Sequence, residues 1–129
     1  MKKYIQVYDD VLSPEKCQTL IDKFEANKDQ HVSTDLENHR HFTEININQH
    51  DDWKMMVQGV YLHLKPYIRK YMKDCDIKDK QWPSQYGFEE IRFKRYLPND
   101  KDEFKEHVDV GDYASARRFL VFFLYLNNN

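Results

Sequence analysis

Glycine is scarce in this sequence: Gly59, Gly87 and Gly111 are its only three, and they lie too far apart to form a glycine-rich phosphate-binding loop. Only two cysteines are present, and no stretch approaches the ~20 consecutive apolar residues of a membrane span. Neither sign of charge dominates, since 20 Lys and Arg stand against 22 Asp and Glu. These shortages argue against a nucleotide-binding fold and a disulfide-rich scaffold, and they indicate no nucleic-acid or membrane partner.

The amino-terminal residues 1–6 lack the apolar segment of a secretory signal. Cys17 and Cys75 are therefore expected to be free thiols in a reducing compartment, which predicts a cytoplasmic protein. A length of 129 residues predicts a single domain that is large enough to bury a core without disulfides or a structural metal.

The first two thirds of the chain mix helical and extended patterns. Ser13-Pro14-Glu15 is a typical helix start, because serine caps free N–H groups and proline suits the first helical position. A second helix is expected after Asp51 and Asp52, with a kink or a break at Pro66. The remaining predictions are a short strand over 4–8, a loop over 27–41, a strand over 42–47 and a connection over 73–87.

From residue 88 onward the pattern changes to strands. Residues 89–97 alternate like a strand with one buried face, and Pro98-Asn99-Asp100 ends it. Residues 119–126 form a run of large apolar side chains, which is typical of a strand buried on both faces. The order predicts an α+β fold, with a helical support region over 1–87 and strands over 88–129.

A short motif in the last quarter of the chain carries the functional signal. Side chains two apart on an extended segment point to the same side, so His107 and Asp109 can present a nitrogen and an oxygen ligand to one point. A second histidine would complete the two-histidine, one-carboxylate arrangement that holds Fe(II) and leaves coordination positions open.

Other parts of the sequence provide only weaker candidates for ligands. His39 and His41 are the one other pair of histidines that would share a side of an extended segment, and their placement in a polar loop favours solvated side chains. Arg117 and Arg118 are suited to bind an anionic carboxylate, but a charged entrance to the following strand, paired with Asp112, is the favoured interpretation.

The order of motifs after residue 88 resembles the prolyl 4-hydroxylase-like branch of the Fe(II)/2-oxoglutarate-dependent oxygenases. The residues that carry the resemblance are Tyr96-Leu97-Pro98, then Phe104-Lys105-Glu106-His107-Val108-Asp109, then the hydrophobic run that ends in Tyr125-Leu126-Asn127. Residues 11–17 also resemble the amino-terminal helix of that family.

The resemblance implies a double-stranded β-helix, or jelly roll, with the helices packed on its first strands. It implies that His107 and Asp109 are iron ligands and that Tyr96 and Tyr125 lie in the 2-oxoglutarate pocket. The implied cofactors are Fe(II), with 2-oxoglutarate as co-substrate and ascorbate as a further candidate. The implied reaction is O2-dependent decarboxylation of 2-oxoglutarate coupled to hydroxylation of a C–H bond, in a peptidyl prolyl group or another peptide or small-molecule substrate.

The sequence departs from that family after Asn127. Family members continue through a glycine-rich turn and further strands, which supply the distal histidine and a Lys or Arg for 2-oxoglutarate. We therefore expect a truncated jelly roll, the amino-terminal part of an oxygenase domain that binds iron weakly and is inactive alone, or one that a second chain completes. Two alternatives remain open: an inactive interaction module whose last strand pairs with a partner, and an α+β domain with an accidental H-x-D.

Overall fold

A computed structural model describes residues 2–37 and 39–128 of the chain. It contains two α-helices and a four-stranded antiparallel sheet, which confirms the α+β prediction. The helices are α1 (Pro14–Ala26) and α2 (Lys54–Asp74). The strands are β1 (Val32–Leu36), β2 (Arg40–Asn46), β3 (Arg92–Arg95) and β4 (Glu103–Phe104).

Both predicted helices form close to their predicted positions. The Ser13 hydroxyl accepts a hydrogen bond from the Lys16 N–H at 3.2 Å, which caps α1 as its sequence indicates. A 3-10 turn over Asp51–Trp53 leads into α2. The sequence predicted a kink or a break at Pro66. The helix continues without interruption through this residue, so a break does not occur.

The sheet is built around β2, which has neighbours on both sides. Strand β1 pairs along one edge of β2. On the other edge, β4 pairs with the start of β2 and β3 pairs with its end. Strands β1 and β2 both enter the predicted loop 27–41, in which Asn38 lies outside the described residues. That prediction was wrong for residues 32–36 and 40–41. The β1 sequence VSTDL shows little alternation and stays mostly exposed, so its pairing with β2 holds it in place.

One face of the sheet packs against the helices and forms the core. Ile45 of β2 is fully buried, and Phe93 lies beside it in register on β3. The Phe93 ring stacks on Phe24 of α1 at 4.7 Å and meets Trp53 edge-on at 6.0 Å. Because β3 pairs with β2, the sheet joins the two regions that the sequence separates at residue 88.

Two predicted strands are absent from the described structure. Residues 5–8 are irregular, with Ile5 and Val7 more than two thirds exposed; side-chain bonds from Tyr71 to the Tyr4 carbonyl and from Tyr8 to Asp74 attach this segment to α2. Residues 119–126 are also irregular, and Phe123 and Tyr125 are 75% and 82% exposed. The prediction of a strand buried on both faces was wrong, because none of the described strands pairs with this segment.

Candidate functional site

The sheet face that points away from the helices carries the candidate site. Positions 40, 42 and 44 of β2 and position 94 of β3 share this face, since side chains alternate along each strand and Glu44 is opposite Lys94. Phe42 is only 3% exposed here, because Tyr96 and Phe104 pack against its ring at 5.4 and 5.7 Å between centroids. The face is therefore a small aromatic layer on which charged groups rest.

His107 rests on this aromatic layer. Its imidazole stacks on the Phe104 ring at 4.2 Å between centroids, with an interplanar angle of 19°. Its Nδ1 lies 2.9 Å from the Lys105 carbonyl oxygen, which can only accept, so Nδ1 carries a proton. In the neutral ring the lone pair then belongs to Nε2, the nitrogen that points away from the backbone.

Asp109 completes the pair that the motif predicts. The His107 Nε2 and the Asp109 Oδ1 lie 3.1 Å apart, so the structure brings the two predicted ligands together. With Nδ1 protonated, a neutral imidazole and the carboxylate face each other as two acceptors, an arrangement that needs a shared cation: a proton on Nε2 or a metal ion. Two ligands at right angles, each about 2.1 Å from one ion, stand about 3.0 Å apart, so the spacing fits metal ligation.

The loop that carries these two residues is attached at one end to strand β2 and at the other to the segment that precedes β3. Asp102, before it, lies 2.6 Å from His41 Nδ1 and accepts hydrogen bonds from the Leu97 N–H and the Asn99 amide. Arg118, after it, donates to the Asp109 carbonyl at 2.7 Å and pairs with Glu89 at 2.6 Å.

The electrostatics of the two attachment points follow from these bonds. Burial by itself raises the pKa of Asp102, but the hydrogen bonds from Leu97, His41 and Asn99 outweigh it and hold that pKa below its ordinary value. The hydrogen bond to Glu89 raises the pKa of Arg118. Asp112, the partner predicted for the arginine pair, instead accepts hydrogen bonds from the Ser115 N–H and hydroxyl.

The two predicted tyrosines differ in their surroundings. Tyr96 packs on Phe42 and thereby joins the layer beneath His107, and burial, followed by the charge of Glu44, raises its pKa. Tyr125 is largely exposed, with its ring 6.3 Å from that of Phe123, although it lies close enough to contribute to the raised pKa of Tyr96. Neither hydroxyl has a hydrogen-bond partner within the described residues.

The candidate site is an open surface with two candidate ligands, His107 and Asp109. Within residues 2–37 and 39–128, no three His, Cys, Asp or Glu side chains come together as a metal cluster. His41 is held by Asp102, and His39 lies edge-on to Phe104 at 6.4 Å, so the alternative histidine pair does not join His107 and Asp109. Two shallow clefts, one at 88–92 and one between Tyr71 and Trp82, do not include the motif.

Two cations near the site were not anticipated from the sequence. The Arg40 guanidinium carbon and the Lys94 Nζ lie 4.5 and 4.6 Å from the centroid of Phe104, the ring that also supports His107. The available signal was the alternation of 89–97, which places Lys94 on the same face as Tyr96. For Arg40, the assignment of 27–41 to a loop hid the register that brings it opposite Phe104.

Comparison of the chain with protein families, curated proteins and solved structures finds no match. Any functional assignment therefore depends on the motif residues and on their geometry. No helix within the described residues is long and apolar enough to cross a membrane.

Proposed function

We propose that this chain is part of an Fe(II)/2-oxoglutarate-dependent dioxygenase of the prolyl 4-hydroxylase-like type, built on the first strands of a jelly roll. The observation that carries the proposal is the 3.1 Å approach of His107 Nε2 to Asp109 Oδ1, with Nδ1 bonded to a backbone carbonyl. That arrangement orients an imidazole lone pair and a carboxylate toward one cation, as metal-ligating histidines with a fixed second nitrogen do. Tyr96, two residues beyond Lys94 on the same sheet face, supports the same proposal.

In this function His107 and Asp109 hold Fe(II), and a third ligand comes from outside the described residues. The chemistry that the metal and 2-oxoglutarate supply together is hydroxylation of a substrate C–H bond by O2. The Lys105 carbonyl fixes the His107 tautomer, and Phe104 fixes the ring plane. The Tyr96 hydroxyl has no hydrogen-bond partner within the described residues and can donate to a carboxylate, and burial raises its pKa further.

The proposed function also specifies a class of substrate and a cellular compartment. The substrate is a peptidyl prolyl group or another C–H donor, and the compartment is the cytoplasm, where the free thiols of Cys17 and Cys75 stay reduced. With two protein ligands, binding of iron is weak and the 129-residue chain alone does not turn over 2-oxoglutarate.

The test is binding of Mn(II), a redox-stable substitute for Fe(II), measured by the loss of the free-ion electron paramagnetic resonance signal. We expect one site per chain, lost in His107→Ala and in Asp109→Ala. His50→Ala and Asp35→Asn, which change a histidine and an aspartate away from the motif, are expected to bind like the unmodified chain. Because binding by two protein ligands is weak, Mn(II) is titrated to a large excess over the chain; equal binding by all five proteins, or by none at this excess, would contradict the proposal.

A second candidate function is an inactive interaction module that pairs with a partner through residues 119–126. The observation that favours it is the exposure of large apolar side chains along this segment, with 46% of Phe119, 75% of Phe123 and 82% of Tyr125 accessible. Unpaired extended segments with apolar side chains readily add to a sheet edge. The metal-binding test separates the two functions, because this one does not require His107 or Asp109.

A further inference from the structure

Two cations on the open face of the sheet, Arg40 and Lys94, form no direct ion pair within the described part of the chain. Both side chains are half-buried. The Arg40 Nε is buried without a hydrogen-bond partner among those residues. An unpaired buried donor costs about 1–3 kcal/mol, so the absence of a partner requires an explanation.

Both cations contact the same aromatic ring. The Arg40 guanidinium carbon lies 4.5 Å and the Lys94 Nζ 4.6 Å from the centroid of the Phe104 ring, and the Lys94 Nζ is also 4.8 Å from the Phe42 centroid. Cation–π contact with these rings stabilises both groups in part. Their mutual repulsion remains, and burial, together with the charges of Arg40 and Arg92, lowers the pKa of Lys94 in spite of the opposing charges of Glu44 and Asp109.

Glu44, the carboxylate opposite Lys94 in the sheet, does not neutralise Arg40 or Lys94 through an ion pair. Its Oε1 lies 3.2 Å from the Arg92 guanidinium and forms an ion pair there. The local balance on this face is therefore three cations against one carboxylate, next to the His107–Asp109 pair, which is neutral overall when the histidine is protonated.

We propose that Arg40 and Lys94 form a subsite for a carboxylate of a small ligand, over Phe104, the ring on which His107 also stacks. A guanidinium presents a planar fork of donors that matches a carboxylate, and an ammonium adds a second charge without a fixed geometry. The carboxylate is either the far end of the 2-oxoglutarate of the proposed function or an acidic group of the substrate. Binding at these cations does not require a metal, so the subsite is independent of iron ligation.

The first measurement uses the metal-free chain and glutarate, a dicarboxylate without a keto group, followed by backbone amide shifts in nuclear magnetic resonance spectra. Shifts are expected at residues 40, 94 and 104. Lys94→Met and Arg40→Met, which keep the aliphatic stems over the rings, should each weaken binding about tenfold or more. Lys65→Met, on the exposed side of α2, is the matched control and should bind normally.

The second measurement distinguishes the two sources of the carboxylate, using Mn(II)-loaded chain. If the subsite binds the co-substrate, Lys94→Met should weaken the binding of 2-oxoglutarate. It should not change the binding of 2-oxobutyrate, which lacks the far carboxylate. If it takes an acidic group of the substrate, Lys94→Met leaves the 2-oxoglutarate affinity unchanged while glutarate binding to the metal-free chain is still lost.

The proposal is overturned if glutarate shifts none of these three residues, or if both methionine variants, folded by circular dichroism, bind glutarate like the unmodified chain. Because glutarate is titrated without metal, this failure is separate from a failure of the proposed function. If the chain binds glutarate as expected but does not bind Mn(II), the carboxylate subsite is supported and the proposed oxygenase function is contradicted.

Discussion

At the scale of single residues, Asp102 is one of the side chains that position the candidate site. Its carboxylate joins β2, through His41, to the backbone of the turn that follows β3, through the Leu97 N–H. The His107–Asp109 pair follows this turn by a few residues, so the position of the pair on the sheet depends on it. The side chain of Asp102 is 4% exposed, which makes these charged hydrogen bonds stronger than surface ones.

Asp102→Asn should lower the free energy of unfolding by about 2 kcal/mol at neutral pH, because charge-assisted hydrogen bonds are lost. The folded pKa of Asp102 is lower than its unfolded value, so the unfolded state binds the extra proton and the stabilisation is present above that unfolded value. The difference between the two proteins should therefore shrink as the pH falls below about 4.

Urea titrations at pH 7, 5 and 3 check this prediction, with Asp35→Asn on exposed strand β1 as the control that should not change. A loss of stability of equal size at all three pH values would show that the charge of Asp102 plays no part.

Residue-scale predictions from the sequence succeeded where chemistry and local spacing were enough. The H-x-D spacing placed His107 and Asp109 side by side, as they are. It gave no information on Phe104 as the ring beneath His107 or on Arg118 as the donor to Asp109, because both contacts depend on how the loop folds back.

At the scale of elements, both helices and strands β2 and β3 were predicted close to where they form, whereas strands β1 and β4 were not. Helix signals are local: a serine cap and an apolar face at 3.6-residue spacing define α1 within the helix itself. Strand β1 exists because β2 pairs with it, and residues 119–126 stay irregular because no described strand does. Whether a segment becomes a strand depends here on a pairing partner elsewhere in the chain, and a local sequence pattern carries no information about that partner.

Pro66 lies in the middle of α2 at an exposed position and cannot donate the helical hydrogen bond to the carbonyl four residues earlier. Pro66→Ala should therefore raise the free energy of unfolding by about 1–3 kcal/mol. The measurement is a urea titration followed by circular dichroism. Lys65→Ala, at the preceding exposed position, should change stability by less than about 0.5 kcal/mol. Unchanged or reduced stability in Pro66→Ala would contradict this account of the helix.

At the scale of the whole molecule, the chain presents an open sheet face and an exposed apolar segment next to each other. The second candidate function predicts association through that segment. Phe123→Ser with Tyr125→Ser should then abolish any concentration-dependent increase in sedimentation coefficient, whereas Met55→Ser, an exposed apolar residue on α2, should not. Equal association of both variants would exclude residues 119–126 as the contact.

In the proposed function, His107 supplies a nitrogen ligand to a metal ion shared with Asp109. Electron spin echo envelope modulation of the Mn(II)-loaded chain is the decisive measurement, because it detects the nitrogen nucleus of a coordinated imidazole. We expect coupling to one histidine nitrogen that changes when the histidines carry nitrogen-15 and is absent in His107→Ala. Bound Mn(II) without nitrogen coupling, or with coupling that survives His107→Ala, would show that His107 is not a ligand.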